Sequence, residues 1–444
     1  MTFITDKQTL EDLNLLGKYK NNSIFSLFNK TNTRGGERTL EQMFRNPLSE
    51  ANSINTRSKI FNYFRIQNRI FPLKKELVEA VEHYLSTAAH PNRGIAFLNL
   101  CRQKFLHTVA SEQEYELIRQ GLSDTVELLD IWNGFNNSLN EESGDAYSHI
   151  RKEVKKIMET KQLAQLLHHG DNTRFSWWQI ARYDHILRAS CILQLKRLME
   201  IIYETDVYTS VAAITGEHGF TMATARPHSQ YDNNIYIEGL HHPCLSGAVT
   251  NTIEVSNEQN VIFLTGANMA GKSTFMKSFA IAVYLAHIGF PVAAQKMDFS
   301  VKDGLYTSIN VSDNLNMGYS HFYAEVLRVK QVALEVAAHK NLVIIFDELF
   351  KGTNVKDAYE ATVAVTAAFS GFRNCSYIIS THITEAGHTL QQNKYNFHFV
   401  YLPTLMQGNM PTYTYRLTPG ITNDRHGMLI IRNEKILEII HTPG

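Results

Sequence analysis

Residues Asn260–Thr265 form a short β-rich run, NVIFLT, that breaks directly into Gly266-x4-Gly271-Lys272-Ser273 and then into a long apolar stretch. This succession constrains the fold more than any other part of the chain. A strand that ends on a glycine-bearing loop and restarts as a helix turns the loop's backbone N–H groups inward, at the positive end of the helix. The spacing matches the phosphate-gripping loop pattern in full. By itself such a pattern also fits a glycine-bearing turn before a core helix, so the rest of the chain has to decide.

Two further apolar runs do so. NLVIIFDEL places Asp347 and Glu348 at the carboxyl end of a buried strand, and CSYIISTH ends a third strand on Ser380-Thr381-His382. In open α/β sheets ligands bind at the carboxyl ends of the strands. From about Arg226 onward strand and helix alternate, which predicts an α/β layer with a largely parallel sheet. Lys272 is expected to reach the β and γ phosphates of ATP, and Ser273 and Asp347 to hold Mg2+. Glu348 is expected to take a proton from attacking water and His382 to sense the γ phosphate. ATP binding and hydrolysis is the chemistry these residues point to.

Residues 1 to about 225 read differently. Leu73, Leu77, Val78, Val81 and Leu85 share one helical face, as do Ile150, Val154, Ile157 and Met158, and polar breaks separate such segments. The lysines opposite (Lys152, Lys155, Lys156) read as solvated surface before they read as a DNA groove. The expected organisation is therefore a mainly α-helical domain over 1–225 and a P-loop α/β domain over 226–444, joined near Pro227.

At 444 residues the chain has room for roughly two or three domains. Lys+Arg and Asp+Glu are both 43, which argues against nucleic-acid binding by bulk charge and leaves only a local basic groove open. The four cysteines are scattered without metal-ligand spacing and read as reduced thiols. The N-terminus has no apolar signal core, and the apolar window Ser278–Ala294 is interrupted by His287, Gly289 and Pro291, so it reads as a buried helix. A cytoplasmic location away from the membrane is the expectation.

The segments TGANMAGKST, SDNLNMGYSHFYAEV, DELFKGT and STH, in this order and spacing, resemble the ATPase domain of the MutS family of DNA mismatch repair proteins. IYIEGLHHPCL resembles the strand and turn that open that domain, ETDVYTSVAAITGEHGF (residues 204–220) resembles the end of the lever helix, and residues 23–61 are similar to the family's helical core. The resemblance spans nearly the whole chain, closely after residue 235 and more loosely before. It implies that Gly266, Asn268, Met269, Gly271, Lys272, Ser273, Thr274 and Asn251 contact the nucleotide. It also implies that Ser320, in the signature segment, approaches the ATP of the opposite subunit, and hence a homodimer with composite sites acting on DNA. Ser320 followed by Glu325 is compatible with a helix N-cap as well.

The sequence departs from the family at several points. Ala267 and Ala270 stand where the family has proline and glycine, Ser308 where it has arginine, and Ala248 where it has the aromatic residue that stacks on adenine. Tyr415 is the expected substitute for that ring. The mismatch-reading N-terminal module and the C-terminal tetramer-forming extension are expected to be absent, and the DNA clamp reduced or missing. A transporter-type ATPase engine would carry a glycine-rich LSGGQ-like signature, which the sequence lacks. A nucleotide-gated protein scaffold that never touches DNA stays open as the alternative.

Overall fold

The computed structural model describes residues 3–17, 23–87, 109–140, 145–168, 175–229, 233–309, 321–393, 396–407, 410–422 and 439–440. The chain divides into two compact units that do not follow chain order. One comprises Phe28–Met43 and Lys59–Gly216; the other comprises Met1–Leu27, Phe44–Ser58 and Glu217–Gly444.

The first unit is helical. Helix Ser148–Met158 buries Ile150, Val154, Ile157 and Met158 as the sequence spacing predicts, whereas helix Lys75–Ser86 buries Val78, Val81 and Leu85 of the predicted stripe and Tyr84 besides, with Leu77 partly exposed and Leu73 buried ahead of the helix. Polar pins supplement this packing. On helix Ile192–His218 the buried Asp206 accepts from the backbone N–H groups of Asn32 and Thr33 and from both of their side chains, at 2.7–3.1 Å. Thr33 Oγ1 in turn accepts the Gly36 N–H at 2.9 Å. A Cβ on Gly36 would lie 2.4 Å from Asp206 Oδ2, so this approach requires glycine.

The second unit is built on a seven-stranded sheet. In chain order its strands are β1 (Ile4–Thr5), β2 (Val261–Gly266), β3 (Gly304–Ser308), β4 (Leu342–Asp347), β5 (Ser376–Ser380), β6 (Phe397–Leu402) and β7 (Thr418–Pro419). Their spatial order is β1-β3-β4-β5-β2-β6-β7, parallel throughout except for the last pair. Strands β2 and β5 are buried along their whole length and β4 as far as Phe346, as expected for a parallel sheet covered on both faces. Between them lie α1 (Lys272–His287), α2 (His321–Ala337), α3 (Val355–Ser370) and α4 (Thr384–Asn393). A four-stranded mixed sheet, ordered Thr224–Arg226, Lys296–Ser300, Ile235–Leu240 and Asn251–Val255, completes the unit.

The apolar window around residue 280 is the buried helix α1, which turns out at Gly289 (φ +73°) before Pro291. Its last residue, His287, is fully buried. The Lys302 N–H donates to His287 Nε2 at 3.0 Å, so Nδ1 carries the proton and donates to the Val283 carbonyl at 2.7 Å. Burial pushes this imidazole down to about 4, which keeps it neutral. No helix among the described residues is long and apolar enough to cross a membrane.

The amino-terminal strand β1 departs from the expected division at residue 225: it pairs parallel with β3 and belongs with the α/β unit. Two residues carry no readable periodicity, and the close approach depends on Gly304, where a Cβ would lie 2.5 Å from the Ile4 carbonyl.

Candidate functional site

Because β2, β4 and β5 are parallel neighbours, their carboxyl ends open on one edge of the sheet. Register aligns Asp347 with Ser380 and Ser380 with Leu264, so the ends of all three strands meet beside the loop after β2.

The loop's shape follows from where it bends. Gly266 (φ +151°) and Gly271 (φ +100°) take the conformations that side chains resist, and Gly271 is the N-cap of α1. Met269 is left-handed at φ +68° and 77% exposed. Ala267 and Ala270, the two departures noted in the sequence, have no such φ, so a Cβ at either position costs the backbone nothing. Lys272 is buried, and its Nζ donates to the carbonyls of Gly266 (2.8 Å) and Ala267 (3.2 Å). Burial lowers its pKa, and the nearby carboxylates of Asp347 and Glu348 oppose that shift.

Two carboxylates occupy distinct settings. Asp347 accepts from Ser273 Oγ at 2.6 Å on one oxygen and from Ser380 Oγ on the other. Glu348, at φ +54°, donates its backbone N–H to the Ser380 carbonyl at 3.0 Å. Its carboxylate meets His382 Nε2 at 2.5 Å, and Lys351 Nζ lies 3.9 Å away. The His382 bond holds Glu348 below the usual carboxylate range, with Lys351 and Lys272 pulling in the same direction against burial. Ser380 and Lys351 carry no role in the sequence reading. Ser380 was legible only as a strand-end hydroxyl, and Lys351 only as the residue three places after Glu348.

A cavity of about 530 Å3 extends from this loop to the segment 240–251, Leu402 and Tyr415. Asn268, Met269, Ser273, Thr274 and Glu348 line its loop end. Asn251 and Tyr415 also line it and are joined to each other: Asn251 Nδ2 donates to the Tyr415 carbonyl (3.0 Å), and Asn251 Oδ1 accepts the Leu417 N–H (2.7 Å). Tyr415 itself is left-handed at φ +55°, and its ring lies over Gly271, where a Cβ would come within 3.0 Å of Cδ1. Ala248 lines the same cavity. Ser308 is buried at the end of β3, opposite Phe346. Beside it, Arg328 from α2 donates to the Thr307 carbonyl at 2.6 Å and pairs with Asp6. Ser320 lies outside the described residues.

The donor set suits a small hard cation. A serine hydroxyl and a carboxylate 2.6 Å apart, beside a loop shaped for phosphate, are the one or two protein oxygens that Mg2+ takes when phosphates supply the rest. Among the described residues no group of three or more His, Cys, Asp or Glu gathers into an all-protein metal site.

Comparison with known proteins adds the following. The model of MutS domain V matches residues 262–441, and that of MutS domain III matches residues 8–212. The DNA mismatch repair protein MutS of Lactococcus lactis subsp. cremoris (strain SK11) is 28% identical over 245 residues, covering 54% of this chain and 28% of the relative. MutS of Thermus thermophilus is 34% identical over 194 residues, 43% of this chain and 23% of the relative. MutS of Streptococcus sanguinis (strain SK36) is 28% identical over 257 residues, 56% and 29% respectively. The matched stretch is thus less than a third of each of these relatives.

Proposed function

The chain belongs to the MutS family, and we propose that it is an ATP-hydrolysing, nucleotide-gated DNA-binding protein whose ATPase domain is the α/β unit, 226–444 together with the amino-terminal strand β1, and whose helical domain lies within 1–225. The observation that carries this reading is the convergence of Ser273, Asp347, Ser380, Glu348 and His382 on the loop after β2.

Each residue then has a task. The loop N–H groups and Lys272 bind the phosphates; on binding, the Lys272 ammonium exchanges two backbone carbonyls for phosphate oxygens. Ser273 and Asp347 would hold Mg2+, which neutralises charge on the β and γ oxygens when bound. Ser380 keeps the Asp347 carboxylate turned towards Ser273. Glu348 accepts the proton of the attacking water, and His382 with Lys351 fixes the direction of its carboxylate. Tyr415, held by Asn251, offers a ring to the base. Ser320 would complete the site of a second copy, which makes the working form a homodimer.

DNA would be held mainly through its phosphates, with strong salt dependence. Family membership and the relatives' name support this part. The test is the ATP hydrolysis rate at low salt, alone and with matched, mismatched and branched duplexes. Acceleration by any duplex is expected, and the most effective one identifies the target. Hydrolysis indifferent to every DNA would favour a nucleotide-gated protein scaffold.

A further inference from the structure

Strand β1 follows β3 for only two residues, Ile4 against Gly304 and Thr5 against Leu305. Beyond them the outer edge of β3 still carries backbone groups that need partners. Side chains supply these. Thr9 Oγ1 accepts the Thr307 N–H at 3.0 Å, and Asp12 Oδ2 accepts the Ile309 N–H at 2.9 Å and the Thr307 hydroxyl at 2.8 Å. Arg328 Nη2 donates to the Thr307 carbonyl at 2.6 Å, and its Nη1 pairs with Asp6. Asp6 in turn caps the helix Lys7–Asp12 by accepting the Thr9 N–H at 2.9 Å. Thr9, Asp12, Thr307 and Arg328 are all buried. A longer β1 would satisfy the same edge without burying charge, so the clasp does more than finish a sheet.

The ties bracket one segment. Thr307 and Ile309 stand just before residues 310–320, and Arg328 lies on α2, the helix that follows them. A single short piece of chain, residues 6–12, is thus fastened to both flanks of the segment that contains Ser320. Resting on the composite-site reading, in which Ser320 completes the ATP site of a second copy, we infer that residues 6–12 set the position from which Ser320 acts, with Asp12 and Arg328 as positioning residues. The clasp therefore governs hydrolysis in the second copy's site and leaves ATP binding in its own site alone. At Asp12 the requirement is an acceptor: both of these bonds fall on one carboxylate oxygen, which asparagine can also present. At Arg328 it is the planar fork, which reaches Asp6 and a backbone carbonyl through separate nitrogens as lysine does not.

The test is subunit mixing with the full chain. Asp12→Ala and Arg328→Lys are expected to keep the ATP affinity of the unmodified chain and to hydrolyse ATP slower by about tenfold or more. Asp12→Asn should keep close to the unmodified rate, and a loss as large as that of Asp12→Ala would count against the clasp. Excess Lys272→Ala chain binds no ATP but carries an intact clasp and Ser320. Adding it should raise the rate per Asp12→Ala or Arg328→Lys chain to that of the unmodified chain in the same mixture. Ser320→Ala is the reference, expected to be slowed and rescued in the same way. Rescue of Ser320→Ala without rescue of the clasp variants would overturn the inference, because the defect would then lie in their own site. Weakened ATP binding or undiminished hydrolysis in both clasp variants would overturn it as well. A Ser320→Ala chain that hydrolyses at the full rate, or that mixing does not rescue, would instead remove the composite-site reading on which the inference stands.

Discussion

Phe350 tests how the turn that carries Glu348 is held. It sits at φ +63°, yet it is only 3% exposed, packed within the core of the α/β unit and edge-on against Phe322 with ring centroids 6.1 Å apart. Two effects oppose each other here. A left-handed backbone costs a residue with a side chain about 1–2 kcal/mol. Removing a buried phenylalanine ring costs about 3–5 kcal/mol. Burial wins, so the turn is kept in an unfavourable shape by its own anchor. Phe350→Ala loses the ring and keeps the backbone cost, for a loss of about 3–5 kcal/mol. Phe350→Gly recovers that cost against about 0.5–1 kcal/mol of extra chain entropy, and should be roughly 0.5–1 kcal/mol more stable than the alanine variant. At an ordinary φ the order would reverse. Urea unfolding followed by circular dichroism, with hydrogen exchange over 342–350 as the local reading, measures both differences. An alanine variant as stable as the glycine variant would refute the backbone argument. A loss below about 1 kcal/mol in both would refute the anchoring. Either variant also frees Glu348 to drift, and a displacement near 1 Å is expected to slow hydrolysis on the order of 10²-fold.

Other expectations follow from the same geometry. Lys272→Ala should abolish ATP binding in an equilibrium titration, because it removes the ammonium placed at the loop carbonyls. Asp347→Asn should raise the Mg2+ concentration needed for half-maximal turnover by about tenfold or more, with ATP alone bound as before. The acid limb of turnover should lie below the ordinary glutamate range, since His382 holds Glu348 ionised. His382→Ala should move that limb upward, and an unmoved limb would detach His382 from the base. His287 is neutral in the fold at about 4, below its ordinary 6.5. Its depressed value means stability is whole above pH 6.5 and declines as pH falls towards 4, by about 3 kcal/mol. His287→Gln should flatten that part of the urea-unfolding pH profile.

What the sequence made legible depended on the range of the interaction. Strands β2, β4 and β5 announce themselves because a strand buried on both faces needs an unbroken apolar run, and the polar residues that end each run mark the carboxyl edge of the sheet. The places of Lys272 and Ser273 at the start of α1 follow from the loop spacing together with the strand before it and the helix after it. Side-chain partnerships do not. Asn251 and Tyr415 are 164 residues apart, and nothing local signals that one holds the backbone of the other. His382 was legible as a strand-end residue facing the phosphates, whereas its bond to Glu348 depends on how two loops fold over the same edge. The short strand β1 escaped notice because two residues have no period and its place is set by Gly304, on a partner strand far along the chain. Ser320 lies outside the described residues, so its approach to a second copy rests on the family resemblance.

The central claim is that this site hydrolyses ATP with Glu348 as the base, and the most direct test is a paired measurement on Glu348→Ala. Binding is measured by equilibrium titration with ATP and Mg2+, and chemistry by single-turnover hydrolysis at saturating protein. The account predicts binding close to that of the unmodified chain and hydrolysis slower by about 10²–10⁴-fold. Hydrolysis at the unmodified rate, with binding intact, would contradict it and move the search for the base away from the end of β4.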